Sequence, residues 1–416
     1  MENFDLTESR CFLRSLQEEA AKGLKGFPWA NAEDITEASI QYLRKQTSYF
    51  LTSDPEMVQR GVFKYHRGKE NERILRAEEL IRRVRPGPFE DPNYFALLAY
   101  QAASIEMTIP WVDKEKFRNY LLGTLHAPFV NAFARIYPSS SGTTVVLYSG
   151  IIDFIYQAAK AVVEAINPQI ANDGKSKVRA DTDLGKIRQG LRKNPAPSDR
   201  LYKTLESYFF KGYPRAFANE KVRDEHGPVL GGVIVPLSER WIIAHEYGHE
   251  LIKTVDFSKA PNNPSWAKEF SADTTATIAT VLSASQLDIL PPEFALSAGS
   301  FVLACLEILE RAVSILKTGL ESANHGSQSH PPNEERANQI VAEFHRFFDF
   351  KYRDGGGFDL DFGLKSEAPE NHEFGEELKD KVHFFSRVLM AIWEYVRKQL
   401  LNQFQLKRQI HPMWTK

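Results

Sequence analysis

The chain has 416 residues, of which 43% are hydrophobic and 25% are charged, and its formal net charge is −2. This composition is typical of a folded globular protein and excludes a disordered or fibrous chain. The near-neutral charge gives no general attraction to nucleic acid, and two cysteines, Cys11 and Cys305, are too few for a disulfide framework.

No stretch of the sequence approaches the roughly 20 uninterrupted apolar residues that a membrane helix needs. The longest candidate, 301–316, contains Glu307, Glu310 and Arg311 and is typical of a buried helix. The first residues lack the basic start and apolar core of a signal peptide. We therefore expect no membrane span and a cytoplasmic location.

Residues 1–115 are predicted to form a helical N-terminal region. Apolar residues recur at helical spacings in Ile40, Leu43 and Phe50 and again within 74–84. Pro-containing breaks separate these segments, and no internal repeat is visible. A helical solenoid is therefore not expected.

Residues 116–340 are predicted to form the core of the protein. The β-branched run 143–148 indicates a strand, and 151–166 indicates a helix. The polar and basic stretch 172–200 predicts a long surface excursion within an insertion at about 156–235. A Val-rich run at 229–235 predicts a second strand.

Residues 341–416 are predicted to form a C-terminal helical region. Three consecutive glycines and many acidic residues at 353–374 indicate a mobile loop, and 376–405 has the pattern of a long amphipathic helix. The expected fold class is α+β and predominantly α-helical. A small edge-stranded sheet would lie over the motif helices, with helical regions flanking it.

Two histidines stand four residues apart on a helix that we predict to begin at Glu239, with Ser238 as its N-cap. This spacing places His245 and His249 on one helix face, where they can bind one metal ion. Glu246 follows the first histidine and can act as the base that takes a proton from an attacking water.

A second predicted helix, around 266–276, supplies two more carboxylates on one face. Glu269 can be the third protein ligand, and Asp273 can accept the outer N–H of a ligating histidine. The small side chains of Ala272 and Ala276 would let the two helices approach closely. Two imidazoles, one carboxylate and an open position are typical of catalytic zinc, so we expect one Zn²⁺ per chain.

With these residues, the chain resembles the gluzincin metallopeptidases of the HtpX and CAAX prenyl protease (Ste-type) family. Residues 131–134 (Asn-Ala-Phe-Ala) and the strand at 142–150 are similar to that family's substrate-pairing segment. Residues 269–273 match its Glu-x-x-Ala-Asp motif, and 329–336 match its His-Pro…Glu-Arg motif. The resemblance implies a zincin-type core that hydrolyses peptide bonds.

The resemblance also implies roles for two residues far from the metal motifs. His330 would hydrogen-bond the substrate or the oxyanion, and Arg336 would orient the metal ligands or stabilise negative charge. An alternative from the residues alone is that this segment only begins a helix, with prolines and acidic residues in its first turn.

An extended polypeptide is the expected substrate, paired with one edge strand at either 143–148 or 229–235. The residues expected to contact it are Asn131, Ala132, Val145 and Leu147. The membrane helices of the best-known family members are absent, so membrane-embedded substrates are not implied.

The insertion leaves two alternatives to a freely active endopeptidase. It could bind a regulatory protein or plug the cleft of a latent protease. The chain could also be a metal-binding interaction module without proteolysis, but such a module would need none of Glu246, His330 and Arg336.

Overall fold

The computed structural model of the chain describes residues 7–22, 32–52, 67–87, 89–109, 120–125, 132–136, 143–166, 169–170, 178–179, 182–211, 227–253, 255–258, 263–288, 292–322, 330–353, 357–362, 379–406 and 410. This part of the chain is predominantly helical with small sheets, which agrees with the predicted α-rich α+β class. None of its helices combines the length and apolar character that a membrane span requires.

The N-terminal region is helical, as the sequence predicts. Its helices are α1 (Thr7–Lys22), α2 (Ala32–Thr52), α3 (Arg67–Val84) and α4 (Pro92–Thr108). Asp91 caps α4 by accepting hydrogen bonds from the backbone N–H groups of Asn93 and Tyr94. Helix α4 is buried along most of its length, because it packs against other helices on several sides.

A three-stranded sheet follows, made of β1 (Tyr120–Leu125), β2 (Ala132–Ile136) and β3 (Thr143–Tyr148). The strand order is β1-β3-β2, with β3 parallel to β1 and antiparallel to β2. The predicted strand at 143–148 is therefore confirmed, but it is the central strand. Both of its edges are paired, so the expectation that a substrate pairs with it is wrong.

The described residues of the predicted insertion are mostly helical. Helix α5 (Ser149–Ile166) confirms the expected helix, and two short paired segments, β4 (Gln169–Ile170) and β5 (Val178–Arg179), follow it. Helices α6 (Leu184–Lys193) and α7 (Ala196–Glu206) occupy much of the stretch 172–200 that is predicted to be a surface excursion, and most side chains of α6 are exposed.

A buried ion pair explains why polar residues of the insertion are folded. Arg200 on α7 donates two hydrogen bonds to Glu164 on α5, with N–O distances of 3.0 and 2.6 Å, and both side chains are more than nine-tenths buried. Helix α6 is amphipathic: its outer face carries charged residues, and its inner face carries Ile187 and Leu191, which are buried.

The metal motif lies on a longer helix than predicted, α8 (Gly227–Leu251). The segment 229–235 is its first half and not a strand, and the helix does not begin at Glu239 with Ser238 as its cap. A short Val- and Ile-rich run fits a buried helix as well as a strand, which explains the error. Pro236 lies inside the helix and removes one backbone hydrogen bond there.

The remaining elements close the fold around α8. They are α9 (Pro264–Ser283), α10 (Pro292–Thr318), α11 (Asn333–Phe347), β6 (Phe348–Arg353), β7 (Gly357–Phe362) and α12 (Phe384–Gln405). Strand β7 lies within the predicted mobile loop 353–374 and corrects that prediction, while 363–374 lie outside the described residues. The predicted C-terminal helix is confirmed from Phe384 onward.

One cluster of buried apolar residues joins all three regions of the sequence. It contains Leu13 and Phe95 from the N-terminal helices, Trp241 from α8, and Val388 and Leu400 from α12. Helix α8 packs against α4, α5, α9 and α10 as well as β2 and β3. The helix that carries the metal motif is therefore held from many sides.

Candidate metal centre

The two histidines of α8 point their rings toward one place. The Nε2 atoms of His245 and His249 lie 3.1 Å apart, and the two rings meet edge to face. His245 is buried, whereas the side chain of His249 is 28% exposed. The spacing of four residues on a helix produces this convergence, as predicted.

Helix α9 brings Glu269 to the same place. Its Oε2 atom is 3.6 Å from Nε2 of His245, and its Oε1 atom is 3.5 Å from Nε2 of His249. The side chain is buried, and Oε2 has no hydrogen-bond partner among the described residues. A buried carboxylate oxygen without a hydrogen bond is costly, and a cation beside it offsets that cost; a terminal nitrogen of Arg336 lies 3.6 Å from this oxygen.

A glycine makes the approach of the two helices possible. A Cβ atom on Gly248 would lie 3.0 Å from the Cα atom and 3.1 Å from the backbone oxygen of Ala272. Any larger residue at 248 would therefore push α9 away and move Glu269 from the histidines. The prediction that Ala272 permits a close helix crossing is consistent with this contact.

His245, His249 and Glu269 could together hold a metal ion, because the three ligand atoms all lie within 4.8 Å of one another. Among the residues that the structure describes, no other group of three histidine, cysteine or acidic side chains brings its ligand atoms this close together.

Asp273 and Arg336 stand behind this group. The Oδ1 atom of Asp273 lies 2.9 Å from Nδ1 of His245. Arg336, on α11, donates two hydrogen bonds to Asp273, from Nε at 2.8 Å and from one terminal nitrogen at 2.7 Å. The same terminal nitrogen is 3.6 Å from Glu269. Arg336 is thus buried against Asp273 and Glu269. This position favours a role in orienting those side chains and not a role in contacting a substrate.

This arrangement sets the charges of the group. Burial disfavours an ionised Asp273, but Arg336 outweighs it and the pKa of Asp273 is lowered to about 2. Burial likewise opposes a charged His245, but the hydrogen bond and charge of Asp273 raise the pKa of His245. Burial and the nearby His245 lower the pKa of His249 to about 3, which favours the neutral imidazole that binds metals.

Glu246 lies beside the group and is itself buried. Burial raises the pKa of its carboxyl to about 7, against the opposite effects of His245 and of a hydrogen bond from the backbone N–H of Ala134. A carboxyl that titrates near neutrality can both accept and return a proton.

The residues expected to bind substrate are only partly brought to the site. Ala134 of β2 contacts Glu246, and Ala132 lies two residues earlier on the same strand. Val145 and Leu147 are buried in the central strand β3, so neither side chain is exposed to a substrate in this structure. Asn131 lies outside the described residues.

His330 is the most exposed of the predicted site residues. Its Nε2 atom lies 3.7 Å from Oε1 of Glu269, and its side chain is 59% exposed. It stands just before α11, which begins at Asn333, so the segment does start a helix. The structure therefore places His330 at the edge of the site and Arg336 within it.

One aromatic residue of α8 at the site, Trp241, is not among the residues predicted from the sequence. Trp241 stacks on His245, and Tyr247 is fully buried against Tyr120 with ring centroids 4.7 Å apart. Trp241 could have been found, because it precedes His245 by four residues and shares its helix face. Nothing in the local sequence predicts the partner of Tyr247.

Comparisons with protein-family models, curated proteins and solved structures found no match to the chain. The resemblance to gluzincin peptidases thus depends on the four short segments of the sequence. What the structure adds is a buried His-His-Glu group with an acidic residue beside it.

Proposed function

We propose that the protein is a zinc-dependent endopeptidase with a zincin-type core, similar to gluzincin peptidases. The observation that carries the proposal is the convergence of His245, His249 and Glu269 with the buried Glu246 beside them. A metal-binding module would need the first three residues but not a second acid at this position.

The separations of the ligand atoms support zinc as the ion. Zinc binds nitrogen and oxygen at about 2.0–2.1 Å in tetrahedral sites, so its ligand atoms stand about 3.3 Å apart. The three distances here, 3.1, 3.6 and 3.5 Å, lie close to that value. Two imidazoles and one carboxylate leave the fourth position for water or substrate, which is the usual catalytic arrangement.

Glu246 is the proposed general base. A zinc ion held by His245, His249 and Glu269 would supply Lewis-acid chemistry at this place, polarising the scissile carbonyl and lowering the pKa of the attacking water. Glu246 then accepts the proton of the attacking water and passes it to the leaving amine, which its pKa of about 7 allows near neutral pH. Its burial keeps this carboxylate away from bulk water.

Strand β2 is the proposed docking edge for the substrate. It ends the described sheet, so one of its edges is not paired within that sheet. The N–H of Ala134 points to Glu246, and the N–H of Ala132 points in the same direction because residues two apart on a strand are equivalent. An extended polypeptide that pairs with this edge would pass beside the base.

Three residues complete the proposed site. His330 is near enough to Glu269 and exposed enough to donate a hydrogen bond to a developing oxyanion. Arg336 and Asp273 hold His245 in place, so Arg336 is a positioning residue. The regulatory partner at the insertion and the cytoplasmic location remain predictions.

The test compares Glu246→Gln with Glu250→Gln. Both residues are buried acids of α8, but Glu250 forms an ion pair with Lys253. Each variant is assayed on a peptide library by mass spectrometry, and its metal content is measured. We expect wild type and Glu250→Gln to cleave peptides, and Glu246→Gln to retain zinc without cleavage. Equal cleavage by wild type and Glu246→Gln contradicts the proposal.

Ligand variants provide the second part of the test. His245→Ala, His249→Ala and Glu269→Ala should each lose zinc, because each removes one of three protein ligands. Wild-type protein that contains no zinc when purified without chelator, and takes up none on addition, would rule out the metal site.

A further inference from the structure

Trp241 forms the wall against which His245 rests. The two residues are one helical turn apart on α8, and their rings are stacked with centroids 5.5 Å apart and planes inclined by 22°. Trp241 is fully buried. The indole therefore covers one face of a ligand ring that Asp273 touches at its edge.

Two neighbouring helices hold the indole in this position. Its Nε1–H donates a hydrogen bond to Oγ1 of Thr277 on α9, at 3.1 Å, and that hydroxyl donates to the backbone oxygen of Asp273. On α10, a Cβ atom at Gly299 would lie 2.6 Å from Nε1 of Trp241. The absence of a side chain at 299 therefore makes room for the indole.

The stack and the carboxylate of Asp273 act on different properties of the His245 ring. The Oδ1 atom of Asp273 lies 2.9 Å from Nδ1, so Nε2 is the nitrogen that faces the metal site. The indole face restricts rotation of the ring about its long axis. A metal-bound imidazole also carries more positive charge than a free one, and an aromatic face attracts a cation. The stack therefore favours the metal-bound form.

We propose that Trp241 is a positioning residue that orients His245 and strengthens metal binding, and that Gly299 is required because it lets the indole reach this place. The inference rests on the proposed metal site. Metal binding does not depend on which peptide is cleaved, so the effect of Trp241 on metal affinity can be measured without a substrate.

The experiment measures the affinity of metal-free protein for Zn²⁺ by competition with a chromogenic chelator. Trp241→Leu removes the ring, and we expect affinity to fall about tenfold or more, the usual effect of losing a residue that supports a ligand. Trp241→Phe keeps an aromatic face and should stay much nearer to wild type. Trp393→Leu is the matched control, because Trp393 is equally buried but hydrogen-bonds Glu321, away from the ligands.

Gly299→Ala tests the same inference without changing any residue of the site. The added methyl group must displace the indole, so zinc affinity should fall in the same direction as in Trp241→Leu. Gly190→Ala is its control, because a Cβ atom at Gly190 on α6 meets nothing within 4 Å. The visible spectrum of the Co²⁺-substituted protein, which reports ligand geometry, should change in Trp241→Leu and Gly299→Ala but not in the controls.

The outcomes separate this inference from the proposed function. If wild type binds zinc, and folded Trp241→Leu and Gly299→Ala both match it in zinc affinity and Co²⁺ spectrum, the inference is overturned. If Trp241→Leu does not fold, the comparison of Gly299→Ala with Gly190→Ala decides. If wild type binds no metal, the proposed function itself fails.

Discussion

Arg336 holds Asp273 through two hydrogen bonds of 2.8 and 2.7 Å, and Asp273 lies 2.9 Å from the outer nitrogen of His245. The three residues come from α11, α9 and α8, so this chain of contacts connects three helices behind the metal group. A charged Arg336 keeps Asp273 ionised, and an ionised Asp273 fixes the tautomer of His245.

Replacement of Arg336 should therefore weaken metal binding and lower the stability of the fold. Arg336→Ala leaves Asp273 as a buried charge with its main partner removed, which typically costs about 3–5 kcal/mol of stability. Arg336→Lys keeps the charge but cannot donate both hydrogen bonds in the same plane. We expect Arg336→Lys to fold and to bind zinc more weakly than wild type, as measured by thermal melting and chelator competition.

A different result would restore a direct catalytic role. If Arg336→Lys keeps its melting temperature and its zinc affinity but loses turnover, the guanidinium acts on the substrate rather than on Asp273. The control is Arg44→Lys, because Arg44 also donates two hydrogen bonds to one acid, Glu78, but lies on α2 and is largely exposed.

His330 should behave in the opposite way. Its side chain is 59% exposed, so its removal should change stability by less than about 0.5 kcal/mol. If it donates to the oxyanion, His330→Ala should reduce turnover about a hundredfold while zinc content stays the same. The measurement is kcat beside melting temperature and metal content.

Asn333→Ala is the control for His330, because Asn333 begins α11 and donates a hydrogen bond to Glu310 at 3.1 Å. This change should lower stability and leave turnover intact. If His330→Ala instead keeps full turnover, the segment contributes only a helix start, which is the alternative that the sequence left open.

The residues of the His-His-Glu group could be predicted from the sequence, because helical spacing determines which residues of each helix share a face. His245 and His249 are four positions apart and so share a face on any helix, and the same holds for Glu269 and Asp273. The prediction that Asp273 supports a ligating histidine agrees with its contact to His245. Its link to Arg336 joins residues 63 positions apart, so only the resemblance, not the spacing, pointed to Arg336.

The errors concern elements whose environment is determined by the whole fold. The run 229–235 lies in α8, and its described side chains, Val233, Ile234 and Val235, are buried. A buried segment lacks the alternating polar positions that distinguish a helix from a strand. The sequence of β3 predicts a strand but cannot show that β1 pairs with one edge and β2 with the other. Val145 and Leu147 were assigned to substrate binding for that reason.

A buried acid far from the metal group should make stability depend on pH. Glu90 is fully buried and accepts hydrogen bonds from Gln17 and Thr124. Burial, partly offset by these hydrogen bonds, raises the pKa of Glu90 to about 8 from an ordinary value of 4.5. Between these values the folded chain keeps the proton and the unfolded chain releases it, so stability falls as pH rises.

Glu90→Gln cannot ionise and should remove this part of the pH dependence. Between pH 5 and pH 8 we expect the unfolding free energy of wild type to fall relative to that of Glu90→Gln. Urea unfolding at several pH values measures it. Parallel pH curves for the two proteins would show that Glu90 is ionised in the folded state.

The backbone N–H of Ala134 donates a hydrogen bond to Glu246. Proline variants of β2 can therefore distinguish the effect of this strand on the base from its effect on substrate binding. Ala134→Pro removes the N–H that Glu246 accepts, and Ala132→Pro removes an equivalent N–H two residues earlier on β2. Proline is tolerated where the lost N–H faces away from the sheet, so both variants can retain the strand.

The two proline variants should affect different kinetic constants. A hydrogen bond to a charged group contributes about 1.5–3 kcal/mol, so Ala134→Pro should lower kcat by about ten- to a hundredfold with little change in KM. Ala132→Pro should instead raise KM, because it alters the proposed docking edge without removing the N–H that Glu246 accepts. Zinc content and circular dichroism must match wild type for the comparison to hold, and Ala134→Ser, which keeps the N–H, should retain kcat. If both proline variants raise KM alone, Ala134 contacts the substrate and does not hold the base.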